Sequence, residues 1–405
     1  MAGIRRTTLR PPDLLARARL ARRASGPDLS RRSFLGRGAA GAATVAVLGP
    51  SFIAACGGDD DDSAESGGGG GGGEGRLRVS NWPFYIDEEF VPAFEAASGL
   101  SVAYTEDFND NEEWFAKVKD SLDAGQDIGT DLVVPSEYMV ARLIRLGWLE
   151  ELDDSNIPNK GNLRTDLLDS TIDEERRYSA PYMSGMVGLA YNAAATGREI
   201  TSVEDLWDPA FSGRVSLFSD AQDGLGMVML SLGDDPADPS TESVQRAADK
   251  VAQEKDRGQI RRFTGNDYAD DLASGNVAIA QAYSGDIVQL QADNPDLRFV
   301  VPEAGGTTFV DAMVIPTTTQ NKAGAEEWID FVYDRANYAK LIAYVQYVPV
   351  LSDMTADLEA VDPAVAANPL VNPPQEVLDK LSIWPALTDE QDAEYTTIYA
   401  DVTGE

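Results

Sequence analysis

Short apolar runs alternate with longer amphipathic segments along the chain from residue 76 onward. The runs RLRVSNW, LSVAYT and DLVVP predict strands, whereas YIDEEFVPAFEAASG, NEEWFAKVKDSLDAG and residues 138–146 predict helices. In the first of these helices, Phe90, Val91 and Phe94 lie on one side. Gly99 is a stop signal, and Pro92 is tolerable only near the first turn. Strands that alternate with helices predict a parallel sheet with right-handed crossovers.

The second half of the chain repeats this pattern less regularly. Strands are predicted at GLAYN, GRVSLFS, NVAIAQAY, LRFVVP and FVDAMVIP, and a helix at TESVQRAADKVAQEKD. The segment KAGAEEWIDFVYDRANYAKLIAYV predicts two further helices that return to the first lobe, since its apolar residues fall at helical spacing. We expect an α/β fold of two lobes, joined near RYSAPY and FVDAM, with a ligand cleft between them at the carboxyl ends of strands. The predicted lobe 1 comprises residues 76–181 and 311–349, and the predicted lobe 2 comprises residues 182–310 and 350–405.

The first 55 residues have the pattern of an export signal. Ten arginines and two aspartates occur in residues 1–38, and residues 39–55 are small and apolar, which favours a signal-peptide core over a permanent membrane span. SRRSFLG resembles a twin-arginine signal, and IAAC resembles a lipobox that ends at Cys56. We therefore predict cleavage before Cys56 and attachment of a diacylglycerol to its sulfur. The alternative is an N-terminal membrane helix with an incidental cysteine.

Residues 56–75 form a predicted linker. The segment is rich in glycine and aspartate and contains no apolar residue larger than alanine after Cys56, so it cannot bury a core of its own. A glycine-rich coil of this length has a reach of roughly 25 Å, enough to hold a folded domain near a membrane surface.

Composition and charge narrow the function. Residues 56–405 contain 23 basic and 66 acidic residues, a net charge of −43, which disfavours nucleic acid and favours a cationic ligand. The alternative is that the acidic surface only maintains solubility. The whole chain has no histidine and one cysteine, which removes the common catalytic triads and zinc sites. We predict neither an enzyme nor a cofactor, and the remaining catalytic alternative is a surface-anchored hydrolase that uses two carboxylates.

Aromatic and acidic residues recur directly after the predicted strands, where a cleft is expected. These segments are Asn81-Trp82-Pro83-Phe84-Tyr85, Pro135-Ser136-Glu137-Tyr138, Ser219-Asp220-Ala221-Gln222-Asp223, Tyr283-Ser284-Gly285 and Phe309-Val310-Asp311. Ring faces attract ammonium and methylene groups, and carboxylates accept charged hydrogen bonds. The combination therefore suits an extended organic cation.

Seven motifs in order give the chain a resemblance to a known family. They are NWPFYI, DLVVPSEYMV, YSAPYMSGMVGLAYN, VEDLWDPAFSGRVSLFSDAQD, GGTTFVDAMVIP, NKAGAEEWIDF and QYVPV. With these motifs the chain resembles the spermidine/putrescine-binding proteins of polyamine ABC transporters over nearly all of residues 76–385. The resemblance implies a two-lobed periplasmic-binding-protein fold of type II.

The resemblance also implies ten ligand-binding residues. They are Trp82, Tyr85, Ser136, Tyr138, Asp220, Asp223, Tyr283, Phe309, Asp311 and Tyr347. Among them, Asp220 matches an acidic residue that binds one end amine of the ligand, and Asp311 matches the carboxylate that clamps a central amine.

Several positions depart from the family pattern. Pro83 replaces a small hydroxyl residue, and Tyr283 and Phe309 stand where tryptophans are common. Asp223 is one methylene shorter than the usual glutamate, and Pro385 occupies a position where the family can offer glutamine. The length of the polyamine is therefore left open, and quaternary amines or another diamine remain alternatives.

Structural roles compete with the ligand roles. Trp82 and Tyr138 could pack between the lobes, Asp220 could cap the helix that follows it, and Asp311 could form a structural ion pair inside its apolar strand. The tryptophans predicted to serve in core packing alone are Trp207, Trp328 and Trp384.

The predicted function is capture without chemistry. A polyamine is expected to bridge the two lobes of a monomer that delivers it to the permease subunits of an ABC importer. The predicted location is the outer face of the cytoplasmic membrane, in the periplasm or cell envelope, with Cys56 as the lipid anchor. No nucleic-acid partner is expected.

Overall fold

The structure, a computed structural model, describes residues 75–168, 170 and 172–404. The predicted signal peptide, Cys56 and the predicted linker as far as residue 74 lie outside the described residues. No helix in the described part of the chain is both long enough and apolar enough to cross a membrane.

Strands and helices alternate along the described chain. The strands are β1 Arg76–Asn81, β2 Ser101–Glu106, β3 Leu132–Val133, β4 Ser179–Asn192, β5 Val215–Phe218, β6 Ile260–Thr264, β7 Ile279–Tyr283, β8 Leu297–Val300, β9 Gly306–Val314 and β10 Leu381–Ser382. The α-helices are α1 Phe90–Ser98, α2 Asn111–Asp123, α3 Glu137–Leu146, α4 Thr165–Leu168, α5 Ala193–Thr196, α6 Ala221–Ser231, α7 Thr241–Asp256, α8 Tyr268–Ala273, α9 Ser284–Gln291, α10 Lys322–Tyr333, α11 Arg335–Val345, α12 Thr355–Val361, α13 Pro363–Ala366, α14 Gln375–Leu378 and α15 Asp389–Thr403. Short 3-10 helices lie at Asp154–Asn156, Pro158–Asn162, Glu174–Arg176, Val203–Trp207 and Pro209–Phe211.

The signals at the ends of α1 act as the sequence predicts. The helix begins at Phe90, so Pro92 falls within the first turn, where a backbone N–H has no partner inside the helix. Gly99 adopts the left-handed conformation with φ 78° and donates its N–H to the carbonyl of Glu95.

One mixed sheet runs through the molecule in the order β2-β1-β3-β9-β4-β7-β5-β6, with β10 beside β9 and β8 beside β4. The strands β2, β1 and β3 are parallel to one another, and so are β7, β5 and β6. At the centre, β9 is antiparallel to both β3 and β4, and β4 is antiparallel to β7. The prediction of a parallel sheet was therefore correct toward both edges and wrong at the centre, where β9 and β4 run antiparallel to each other and to their neighbours β3 and β7.

Buried apolar side chains form two clusters, one in each lobe. The first takes residues between Leu77 and Met183 and again from Val310 onward, whereas the second takes residues between Val187 and Leu297 and again from Trp384 onward. The strands β4 and β9 pass from one cluster to the other, at the segments where the crossovers are predicted.

The segment after residue 349 differs from the predicted lobe boundary. Residues 350–405 are predicted in lobe 2, but Val350, Leu351, Leu358 and other buried side chains as far as Val371 pack into the first cluster. The physical reason is local pairing, since Leu351 pairs with Leu163 and the N–H of Val350 binds the hydroxyl of a buried tyrosine in α11. Only the part from Trp384 onward joins the second cluster.

Substitution of Trp328 tests the packing of the first apolar cluster. This side chain is buried and meets the rings of Phe90 and Phe94 edge-on at 5.5 Å and 4.9 Å. We expect Trp328→Ala to lower the free energy of unfolding by about 3–5 kcal/mol, because it leaves a large cavity. Denaturant unfolding measures the loss, and the exposed Leu232→Ala is the control, with an expected change within about 0.5 kcal/mol. Equal losses in the two variants would contradict the assignment of Trp328 to the core.

Candidate ligand-binding site

A cavity lies between the two lobes. Its lining residues are Trp82, Pro83, Tyr85, Ser136, Asp223, Asn266, Tyr283, Asp286, Phe309, Asp311 and Tyr347. Trp82, Tyr85 and Tyr347 belong to the first apolar cluster, whereas Tyr283 and Phe309 pack against both clusters. Eight of the ten residues implied by the resemblance therefore line one cavity, and Tyr138 and Asp220 do not.

Trp82 has a structural role as well as a place in the cavity wall. Its indole N–H donates to the carbonyl of Val134 at 2.7 Å, and its ring packs against Phe108 at 5.0 Å between centroids. The side chain is 7% exposed. Trp82 therefore has the packing role that was the alternative to ligand binding, and it also lines the cavity.

Asp311 lies in β9 and is held by hydroxyl groups. Its Oδ1 accepts a hydrogen bond from Ser136 Oγ at 2.7 Å, and its Oδ2 accepts one from the Tyr85 hydroxyl at 2.7 Å. These neutral partners replace the ion pair that was the structural alternative for this residue. Burial raises the pKa of Asp311 to about 7, and the nearby negative charges of Asp223 and Glu137 also raise it.

Asp220 acts as a helix cap. Its Oδ1 accepts the backbone N–H groups of Gln222 and Asp223, both at 2.9 Å, at the start of α6. Its Oδ2 accepts the hydroxyl of Tyr138 at 2.6 Å. Burial, followed by repulsion from Asp223, raises the pKa of Asp220 well above its usual range. Asp220 is not among the residues that line the cavity, and its ligand role stays a prediction.

Asp223 sits one helical turn after the cap and faces the cavity. Its Oδ2 accepts the hydroxyl of Tyr283 at 2.7 Å. Burial raises the pKa of Asp223 to about 6. The two carboxylates at the start of α6 therefore have different positions, one in the helix end and one in the cavity wall.

Asp286 is a lining carboxylate that the sequence analysis missed. It accepts hydroxyl hydrogen bonds from Tyr347 at 2.6 Å and from Tyr268 at 2.8 Å, and burial raises its pKa. The signal for it was present in the sequence, because it is the third residue after β7. Our strand-end segment stopped at Gly285, one residue too early. Asn266 also lines the cavity and lies two residues after β6. It was missed because β6 is not among the predicted strands.

Four aromatic rings form a continuous wall. The Tyr283 and Phe309 centroids are 5.1 Å apart, those of Phe309 and Tyr347 6.2 Å, and those of Tyr347 and Tyr85 4.9 Å, with near-perpendicular planes. The Tyr347 ring packs directly against Gly285, where a Cβ would lie only 2.2 Å from the ring. The wall therefore requires glycine at the start of α9.

A second hollow adjoins the first. The two hollows share Ser136, Asp223 and Phe309, and the second one is also lined by Tyr138 and Trp384. Trp384, which we predicted as core packing, is buried but has one face in this hollow. Tyr138 therefore lies in the same cleft as the other candidate residues, one compartment away.

The cavity is suited to a cation. Three carboxylates line it, and none of its described lining residues is lysine or arginine. No group of three or more acidic or cysteine side chains in the described part of the chain is arranged to hold a metal ion. An ammonium group would place its N–H donors against the carboxylates and its carbon neighbours against the rings.

Comparison with known proteins identifies relatives of the same architecture. A sequence profile described as bacterial extracellular solute-binding protein matches residues 89–373. The putrescine-binding periplasmic protein SpuD of Pseudomonas aeruginosa is 30% identical over 332 residues, covering 77% of this chain and 87% of that protein. Spermidine/putrescine-binding periplasmic protein 1 of Haemophilus influenzae is 28% identical over 307 residues, covering 75% and 82%.

A solved structure gives the same result. The spermidine/putrescine ABC transporter substrate-binding protein PotD of Streptococcus pneumoniae is 26% identical and superposes with a TM-score of 0.66, covering 82% of this chain and 99% of that one. This likeness confirms the predicted α/β fold of the type II periplasmic binding proteins, with a ligand cleft between lobes. The profile covers more than half of the chain, and this protein therefore belongs to the bacterial extracellular solute-binding protein family.

Proposed function

We propose that this protein is the solute-binding component of an ABC importer and that it captures a linear di- or polyamine for delivery to the membrane permease. The observation that carries the proposal is the set of three carboxylates that line the cavity beside its aromatic rings: Asp286 and Asp311 are buried, Asp223 is partly buried, and each accepts a hydrogen bond from a hydroxyl group. The names of the relatives, which include putrescine-binding and spermidine/putrescine-binding proteins, support the same ligand class.

The chemistry of the wall favours amines with N–H donors. A carboxylate buried among neutral hydroxyls is most stabilised by a ligand that brings both positive charge and hydrogen-bond donors. A quaternary ammonium group brings the charge but no donor, so it leaves each carboxylate without a new hydrogen bond. We therefore favour primary or secondary ammonium groups over the quaternary amines that the sequence left open.

The energies are sufficient for a tight complex. Charged hydrogen bonds contribute about 1.5–3 kcal/mol each, and cation–π contacts contribute about 1 kcal/mol each. Three such hydrogen bonds and two ring contacts together contribute about 6.5–11 kcal/mol, a range that includes the roughly 8 kcal/mol of a micromolar complex. Lobe closure and the ordering of the ligand oppose binding. We therefore expect micromolar or somewhat tighter binding when the contacts lie in the upper part of this range.

We also propose that residues 1–55 direct twin-arginine export and that Cys56 carries the lipid anchor of a monomeric receptor. The basic N-terminal segment, the small apolar core and the IAAC motif support the proposal. A family of extracellular solute-binding proteins needs export, and an anchor would keep the receptor close to its permease.

Titration calorimetry tests the ligand class. We expect saturable binding of putrescine, cadaverine, spermidine or spermine, and no binding of choline or maltose. Asp311→Asn and Asp286→Asn should each weaken binding by about 2 kcal/mol or more, because a buried ammonium loses its charged partner. The exposed Asp293→Asn is the matched control for charge alone and should change affinity by less than about 0.5 kcal/mol. Folded, ligand-free protein that binds none of the four amines would contradict the proposal.

The raised pKa values predict a pH-dependent affinity. The pKa is about 7 for Asp311 and about 6 for Asp223 in the ligand-free site, and a bound ammonium lowers both because it stabilises the ionised forms. Binding below pH 7 therefore releases protons, and the affinity should fall by up to about tenfold per pH unit between pH 7 and 6 and more steeply below pH 6, where Asp223 must also lose a proton. The Kd between pH 5 and 8 measures this slope. A profile for Asp311→Asn as steep as that of the wild type would contradict the assignment to Asp311.

The same shifts affect the stability of the ligand-free protein. A carboxyl whose folded-state pKa is raised binds more protons folded than unfolded between about pH 4 and 7, so its contribution to the free energy of unfolding decreases as the pH rises through this range. The free energy of unfolding should be measured by denaturant unfolding between about pH 4 and 7 for the wild type and for Asp311→Asn. The difference between the two free energies isolates the contribution of Asp311 from that of the other acidic groups.

Metabolic labelling tests the lipid anchor. Labelled palmitate should enter the wild-type protein in its natural host, and Cys56→Ala should abolish the label because the acceptor thiol is absent. Membrane fractionation should then show the wild type with the membrane and the variant in the soluble fraction. A wild-type protein without label would contradict the proposal, and the Asp293→Asn variant should be labelled like the wild type.

A further inference from the structure

A single side-chain amide lies behind the aromatic wall and contacts the two loops that supply its tyrosines. Gln289, in α9, donates from Nε2 to the backbone carbonyl of Phe84 at 3.3 Å and to that of Val345 at 3.0 Å. Both acceptors are carbonyl oxygens, so the amide must present its nitrogen and use both of its N–H groups there. Phe84 immediately precedes Tyr85, and Val345 lies two residues before Tyr347.

Both loops have a backbone conformation that needs external support. Phe84 has φ 61° and Gln346 has φ 58°, in the left-handed region that side chains with a Cβ rarely adopt. The carbonyl of Val345 also lies at the C-terminal end of α11, where carbonyls have no partner inside the helix. The Gln289 amide satisfies this carbonyl and the one at Phe84.

The two tyrosines connect these loops to the lining carboxylates. The hydroxyl of Tyr85 donates to Asp311, and that of Tyr347 donates to Asp286, each within 2.7 Å. The two rings contact each other at 4.9 Å between centroids. A shift of either loop would therefore move a ring of the wall and the hydrogen bond that holds a carboxylate.

The amide also connects the two lobes close to the crossover strands. Ile287, two residues earlier in α9, belongs to the second apolar cluster, whereas Tyr85 and Val345 belong to the first. Val348, just past the second loop, pairs with Ser184 in β4, where the chain passes between the clusters. Contacts this close to the crossover depend little on how wide the cleft is, so we expect them in the ligand-free protein as well.

We propose that Gln289 is a positioning residue of the binding site, whose amide joins the Phe84 and Val345 loops and thereby sets the two tyrosines that hold Asp311 and Asp286. The inference rests on the proposed function, since the affinity it affects is that for an amine. Gln289 does not line the cavity and acts through Tyr85 and Tyr347.

The first test uses two isosteric changes and a control in the same helix. Gln289→Met removes both donors at similar volume, and Gln289→Glu places a carboxylate against two carbonyl oxygens. Gln291→Met is the matched control, because the Gln291 amide donates to Leu297 within the second lobe and touches neither loop. We expect Gln289→Met to weaken putrescine binding by about tenfold, Gln289→Glu to weaken it further, and Gln291→Met to change it by less than about twofold.

A double-mutant cycle separates positioning from general destabilisation. If Gln289 acts through Tyr347, the loss in Gln289→Met/Tyr347→Phe should be clearly smaller than the sum of the two single losses. Additive losses, or wild-type affinity in Gln289→Met, would overturn the proposal.

Hydrogen exchange provides a readout that needs no ligand. In the free protein, Gln289→Met should speed amide exchange in the segments around Tyr85 and Tyr347, and Gln291→Met should leave them unchanged. Unchanged exchange in Gln289→Met would overturn the proposal. A wild-type protein that binds no amine would instead contradict the proposed function, while the exchange result would still decide the role of Gln289.

Discussion

The burial of carboxylates among neutral hydroxyls is the constraint on which the site depends. Asp223, Asp286 and Asp311 accept hydrogen bonds from tyrosine hydroxyls, and Asp311 also accepts one from a serine hydroxyl. Desolvation raises the pKa of each carboxyl group. An ionised carboxylate in such surroundings is costly until a cation accompanies it. Ligand binding and ionisation of the site are therefore coupled, and a ligand that supplies charge and donors together is favoured over one that supplies charge alone.

The tyrosines serve two purposes in this arrangement. Their hydroxyls fix the carboxylate oxygens, and their rings form the apolar wall that a methylene chain would contact. Tyr347 can approach α9 only because Gly285 has no Cβ. The site thus depends on backbone positions as much as on its polar groups. For this reason Gln289, which lies outside the cavity, can affect the positions of the tyrosines in the site.

The two lobes share one sheet, and this sharing decides where the site can form. The strands β4 and β9 cross between the apolar clusters, so the cavity forms beside them with walls from both lobes. Asp311 lies on β9 itself, whereas Asp223 and Asp286 lie at the starts of helices that follow β5 and β7. Asp223 and Asp286 therefore come from segments that follow strand ends, and ladder pairing fixes those ends relative to β9.

The sequence by itself determined the local elements and the residue types at the ends of strands. Apolar spacing, Gly99 as a stop signal and the absence of histidine are local or compositional properties, so they could be read directly. The tertiary structure decided which groups meet. The Asp220 carboxylate accepts the hydroxyl of Tyr138, Asp286 lies in the cavity wall, and the segment after residue 349 packs into the first lobe. The hydrogen bond from Tyr85 to Asp311 joins residues 226 positions apart. Hydrophobic periodicity reports which side of an element is buried but carries no information about such distant partners, because these are fixed only when the lobes pack.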